Sequence, residues 1–89
     1  MTEKLIKTAP EVPYATPALR STREQLVRAS AHLWRVQDSD GRVIGHLRLL
    51  ADPLGIRYRA ERLHLATGLF RLIGDFWRID DAVTALRHG

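Results

Sequence analysis

Four histidines, His32, His46, His64 and His88, have the widest chemical range of any side chains in the chain. They fall on separate predicted elements, and none pairs with another at the i, i+4 or closer spacing of a zinc site. Cysteine is absent, so no thiolate completes such a site and no thiol nucleophile or disulfide framework exists. No serine sits in a nucleophile-elbow context; Ser21 reads as a helix cap and Ser39 as a turn residue. Asp80 and Asp81 are adjacent carboxylates at a predicted helix start, where they serve the helix dipole. The glycines form no phosphate-binding loop, since none leads into Gly-Lys-Ser/Thr. These residues predict no catalytic group, metal or cofactor, and the chain reads as a non-enzyme.

The remaining chemistry is cationic. Fourteen Lys and Arg stand against ten Asp and Glu, a net charge of +4, and every cation except Lys4 and Lys7 is an arginine. Positive charge concentrates between residues 20 and 71, where the acids are Glu24, Asp38, Asp40, Asp52 and Glu61. A basic stretch of this kind is the electrostatic footprint of a phosphate-bearing partner. An arginine-rich solvated surface is the plainer alternative.

The elements that must position these charges fit one small domain. At 89 residues, 10.1 kDa and 45% apolar content, the chain can bury one modest core. No apolar run reaches the roughly 20 residues of a membrane-spanning helix, and Met1–Lys7 leads into no apolar signal core, so a cytoplasmic protein is expected. Residues 1–19, with Pro10, Pro13 and Pro17, read as an N-terminal arm, and residues 20–89 as the domain. Pro10 and Pro13 have the spacing of a polyproline-type ligand. Ser21-Thr22-Arg23-Glu24 is a capping box and predicts a short helix over about 22–31.

Period-two patterning then begins. Trp34 and Val36 alternate with Arg35 and Gln37; Val43, Gly45, Leu47 and Leu49 alternate with Arg42, Ile44, His46 and Arg48. Asp40-Gly41 between them signals a two-residue hairpin turn, which pairs Trp34 with Leu47, Arg35 with His46 and Val36 with Gly45. Residues 51–55 read as a loop, and a third strand over about 56–65 slips phase near Glu61, as a bulge would produce. Thr67-Gly68 closes a second hairpin pairing Leu65 with Phe70 and Leu63 with Leu72. A helix over about 79–87, with Val83 and Leu86 on its apolar stripe, is expected to pack on Trp34, Leu47, Phe70 and Phe76. The predicted fold is therefore α+β: a four-stranded antiparallel sheet of two hairpins, a C-terminal helix on one face, a short N-terminal helix and the Pro-rich arm.

By these registers the face away from the helix collects Arg35, Arg42, His46, Arg48, Arg57, Arg59, Arg62, His64 and Arg71, with acids kept to turns and ends apart from Glu61. A one-signed face forgoes cross-strand ion pairs and so implies an anionic partner. Tyr58 and Trp77 are candidate stacking residues, with core packing the simpler role for both. Phe76, Arg78, Asp81-Ala82 and Ala85-Leu86 resemble the close of the three-stranded-sheet-plus-helix domains of the integrase arm-binding and AP2 type. In that family the sheet reads DNA; here Arg78 replaces the expected hydroxyl cap and the strands number four. The segments Trp34–Val36, Gly41–His46, Tyr58–Arg62 and Gly74–Trp77 also resemble small actinobacterial proteins, a likeness that implies no function. The sequence thus leads to a nucleic-acid-binding module, DNA ahead of RNA, acting through Arg35, His46, Arg48, Arg57, Arg59 and Arg71, in the manner of a small regulator or mobile-element accessory. The alternative is a module that docks an acidic protein through the sheet face and arm; a homodimer is compatible with either.

Overall fold

Alternation of apolar and polar residues from Leu26 onward builds a single antiparallel meander. The structure, a computed structural model, describes residues 12–88. Five strands, β1 (Gln25–Ser30), β2 (Leu33–Gln37), β3 (Val43–Asp52), β4 (Gly55–His64) and β5 (Leu69–Phe76), lie in chain order across one sheet, and helix α1 (Ile79–His88) follows. The fold is α+β with an antiparallel sheet and a C-terminal helix, as expected. It has five strands where four were predicted.

The fifth strand is β1, which replaces the predicted helix over 22–31. Ser21 and Glu24 still meet side chain to side chain, but without the reciprocal backbone bonds of a capping box, and the Ser21 amide goes to Asp80 Oδ1 instead. Ser21 Oγ donates to Glu24 Oε1 at 2.9 Å, and the Arg23 amide donates to Ser21 Oγ at 3.1 Å. The chain then runs on as a strand, pairing Leu26 with Val36 and Arg28 with Trp34. A capping box specifies the first two bonds of a turn and nothing beyond it. Docking Leu26 against the core and extending the sheet outweigh a ten-residue helix that is marginal alone.

The central hairpin has the expected pairs, Trp34 with Leu47, Arg35 with His46 and Val36 with Gly45. Its turn is longer than the predicted two residues. The Asp38 amide donates to the Arg42 carbonyl at 2.9 Å, Asp38 Oδ1 accepts from the amides of Asp40 and Arg42, and Gly41 takes a positive φ of 84°. A register shift beside Val36 leaves Ile44 unmatched, which restores the phase from Gly45 onward. The predicted loop at 51–55 is instead a tight hairpin, with Asp52 paired to Gly55 and the Leu54 amide bonded to Asp52 Oδ1 at 2.8 Å.

A register break does fall opposite Glu61, but its extra residue is Ile73 on β5; β4 itself alternates without interruption against β3, so the phase slip predicted within that strand does not occur. The last hairpin is shifted from expectation. Leu63 pairs with Phe70 and Glu61 with Leu72, because Leu65–Gly68 form a four-residue turn held by the Thr67 and Gly68 amides on the His64 carbonyl.

The core lies between the sheet and α1, where Val36, Leu47, Ala60, Ala82, Val83 and Leu86 are buried, with Leu26, Tyr58 and Phe76 packed around them. Gly45 permits the close approach: a Cβ there would stand 2.3 Å from the Glu61 carbonyl oxygen and 2.9 Å from Leu86 Cδ2. Leu47 and Phe76 thus meet the helix side as expected, whereas Phe70 lies on the opposite face.

Trp34, fully buried, is covered by the chain before β1. Its indole N–H donates to Thr16 Oγ1 at 2.9 Å, Arg28 stacks over its ring at 5.0 Å, and the Tyr14 amide bonds the Ala31 carbonyl. Within the predicted arm, Tyr14, Thr16 and Leu19 therefore pack on the domain. Pro10 lies outside the described residues.

Candidate interaction surface

Strand alternation and the registers place Val27, Leu33, Arg35, His46, Arg48, Leu50, Arg57, Arg59, Glu61, Leu63, Phe70, Leu72 and Asp75 on the sheet face away from α1. Five of the six predicted site residues share that face, and their surroundings differ from those expected. Arg59 makes a two-pronged bond to Asp75, Nε to Oδ1 at 2.8 Å and Nη2 to Oδ2 at 3.1 Å, which holds the Asp75 carboxyl below its usual range. Arg48 lies 3.5 Å from Glu61, and Arg57 lies 3.6 Å from Asp52 while stacking over Trp77 at 4.9 Å. Arg35 is exposed and pairs with no carboxylate among the described residues. His46 stacks on Phe70 at a centroid distance of 3.8 Å, and burial lowers its pKa, so it is neutral near pH 7 and adds no cation.

Arg71, the sixth, falls on the opposite face. It pairs across β4–β5 with Arg62, whose guanidinium donates to the Leu86 carbonyl at the end of α1. Arg62 and His64 leave the predicted cationic face with it, because β4 keeps an unbroken alternation past Glu61 instead of slipping phase there, which puts both on the side of Tyr58 and Ala60. Arg42 sits in the hairpin turn beside Asp38 and Asp40. The face is therefore mixed in sign. Sequence reasoning missed Asp75 because only the extra residue at Ile73 brings it opposite Arg59.

What the face and its edge do expose is apolar surface. Leu69, Phe70, Leu72 and Ile73 on β5 are exposed, Leu69 and Leu72 by 66% and 62%, and Trp77 beyond the strand by 51%. Tyr58 packs against the core, whereas Trp77 is open on the surface with Arg57.

A second cluster joins α1 to the chain before β1. Arg87 donates from Nε to Glu24 Oε2 and from Nη2 to Glu24 Oε1, both at 2.7 Å, and reaches Ser21 Oγ at 3.2 Å. Glu24 is buried, and the hydrogen bond from Arg87 holds its pKa below the ordinary value. Asp80 accepts the Arg20 and Ser21 amides. These charges clamp the fold and leave no free acid–base pair.

A concavity of about 500 Å³ at one end of the sheet is lined by Asp38, Arg42, Val43, Ile44, Arg62, Leu63 and Leu65, a set without Ser, Thr, Cys or His. Among the described residues no cluster of three or more His, Asp or Glu side chains is placed to hold a metal ion, and no helix is long and apolar enough to cross a membrane. No family model, curated protein or solved structure matches the chain.

Proposed function

We propose that this protein is a non-enzymatic protein-interaction module that docks a partner through the sheet face and edge around β5. One observation carries the reading: on that face the charges of Arg48, Arg57 and Arg59 are met by carboxylates of the chain itself, while Phe70, Leu72 and Trp77 remain open to solvent. Contiguous exposed apolar side chains on a small domain cost solubility and mark contact sites. Aromatic residues and arginine are the types enriched at the centres of protein interfaces.

The nucleic-acid reading keeps a narrower basis. Arg35 and Arg71 pair with no carboxylate among the described residues, the chain carries +4, and the resemblance to AP2-type domains would put DNA on the exposed sheet. Against it, a phosphate would have to displace the carboxylates already bound to Arg48, Arg57 and Arg59.

A photo-crosslinking amino acid placed at Phe70 or at Leu72 in the native cell tests the two readings together. The expected result is a discrete protein adduct at both positions, absent from the same probe at exposed Thr84 and insensitive to nuclease. Adducts to nucleic acid, or none at either position, would overturn the proposal.

A further inference from the structure

The two edges of the sheet are treated differently. Alongside β1, Tyr14 hydrogen-bonds Ala31, Arg28 donates to the Tyr14 carbonyl, and the strand exposes Gln25, Arg28 and Ser30. At β5 no hydrogen bond from the described residues reaches the outer edge of Phe70–Ile73. Edge strands are usually shielded by charges, proline or a covering segment, because their open amides and carbonyls recruit other strands. β5 instead presents apolar side chains on both faces, Phe70 and Leu72 on one and Leu69 on the other, with Ile73 at the bulge.

Of its two charges, Asp75 is met by Arg59, whereas Arg71 has no carboxylate counterpart among the described residues. Arg71 stands directly opposite Arg62, a like-charge cross-strand pair that is unfavourable unless an anion joins it. Arg62 is turned to the end of α1, and Arg71 is exposed without a carboxylate among the described residues. A second copy of this chain would bring more positive charge to the edge, since each copy carries +4.

We infer that the edge of β5, left open by the described residues, is completed by an extended segment of a partner protein, which adds a sixth strand with apolar side chains beside Phe70 and Leu72 and an acidic side chain beside Arg71. Backbone hydrogen bonds supply the affinity of such strand addition, and alternate side chains supply the selectivity. The recognised pattern is apolar–acidic–apolar. This rests on the protein-interaction reading and specifies how that surface is used.

The probe is a library of random twelve-residue peptides displayed on phage and selected on the immobilised full chain, in parallel with Arg71→Glu, whose substitution lies at an exposed position. Enriched peptides should alternate apolar and acidic residues. They should bind Arg71→Glu at least tenfold more weakly, and that variant should select basic residues at the same place. A synthetic copy of the best peptide should slow amide exchange of Phe70–Ile73 at least tenfold. No enrichment, enrichment indifferent to Arg71→Glu, or protection elsewhere would overturn strand addition. If cross-links at Phe70 and Leu72 to a protein persist in that event, the interaction surface stands and only its mode is wrong. Loss of those cross-links too removes both. Reversible dimers with protected β5 amides in the free protein would assign the edge to a second copy instead.

Discussion

At the residue scale the most consequential contact is the pair between Arg87 and Glu24, two residues the sequence placed in unrelated roles. Glu24 was expected to cap a helix over about 22–31, and Arg87 to lie at the end of a separate helix over about 79–87. Together they tie the start of β1 to the last turn of α1. Because the pKa of Glu24 is depressed in the fold, its contribution is complete above about pH 4.5 and is lost as pH falls through the lower folded value. Glu24→Gln should therefore lower the urea midpoint at pH 7 and flatten its decline below pH 4.5. Equal acid limbs in the two proteins would show that the pair contributes nothing. His46 has the opposite charge chemistry and the same sign of dependence. Burial against Phe70 lowers its pKa below 6.5, so the fold loses stability as pH drops from about 6.5 through that lower value. His46→Gln should narrow the difference in urea midpoint between pH 7.5 and pH 5.0; an unchanged difference would assign the loss to other groups.

At the element scale two joints hold the layers together. Helix α1 reaches the sheet at Gly45, where a methyl group would collide with a backbone carbonyl and with Leu86. Gly45→Ala should cost about 1–3 kcal/mol, the range for overpacking a filled core, measured by chemical denaturation. A neutral outcome would mean that the helix stands further from the sheet than described. The other joint is the segment over Trp34. Trp34→Ala should cost about 3–5 kcal/mol, whereas Thr16→Val, which removes only the hydrogen bond to the indole, should cost about 1 kcal/mol. Limited proteolysis of Thr16→Val should cut first within residues 12–20 if that bond fastens the segment.

At the scale of the whole molecule, net charge and usable charge differ. A formal +4 remains, but on the open face most cations have carboxylates of their own and His46 is neutral. Fluorescence anisotropy with labelled duplex across a salt series should give a salt slope of about two phosphate contacts or fewer, near −2 in log K against log salt. It should move little on Arg57→Gln or Arg59→Gln. A slope near −4 that shrinks with each of those substitutions would restore the nucleic-acid reading.

How far the sequence reached depended on the range of the interactions involved. Alternation around Asp40-Gly41 identified the central hairpin and its register, because these depend on neighbours along the strand; the phase break expected within the strand at Glu61 is absent, and the bulge lies on the neighbouring strand at Ile73. The amphipathic stripe and acidic first turn of α1 likewise read correctly from local spacing. Three features depended on distant residues. β1 is a strand because Leu26 and Arg28 find Val36 and Trp34; the covering of Trp34 comes from Thr16, eighteen positions away; and the sign of the open face turns on Asp75 meeting Arg59. A single extra residue at Ile73 sends Arg71 to the helix side and leaves Phe70 and Leu72 on the open one. The pleat has a period of two, so a slip of one residue exchanges faces, and only the assembled sheet fixes which residues the surface presents.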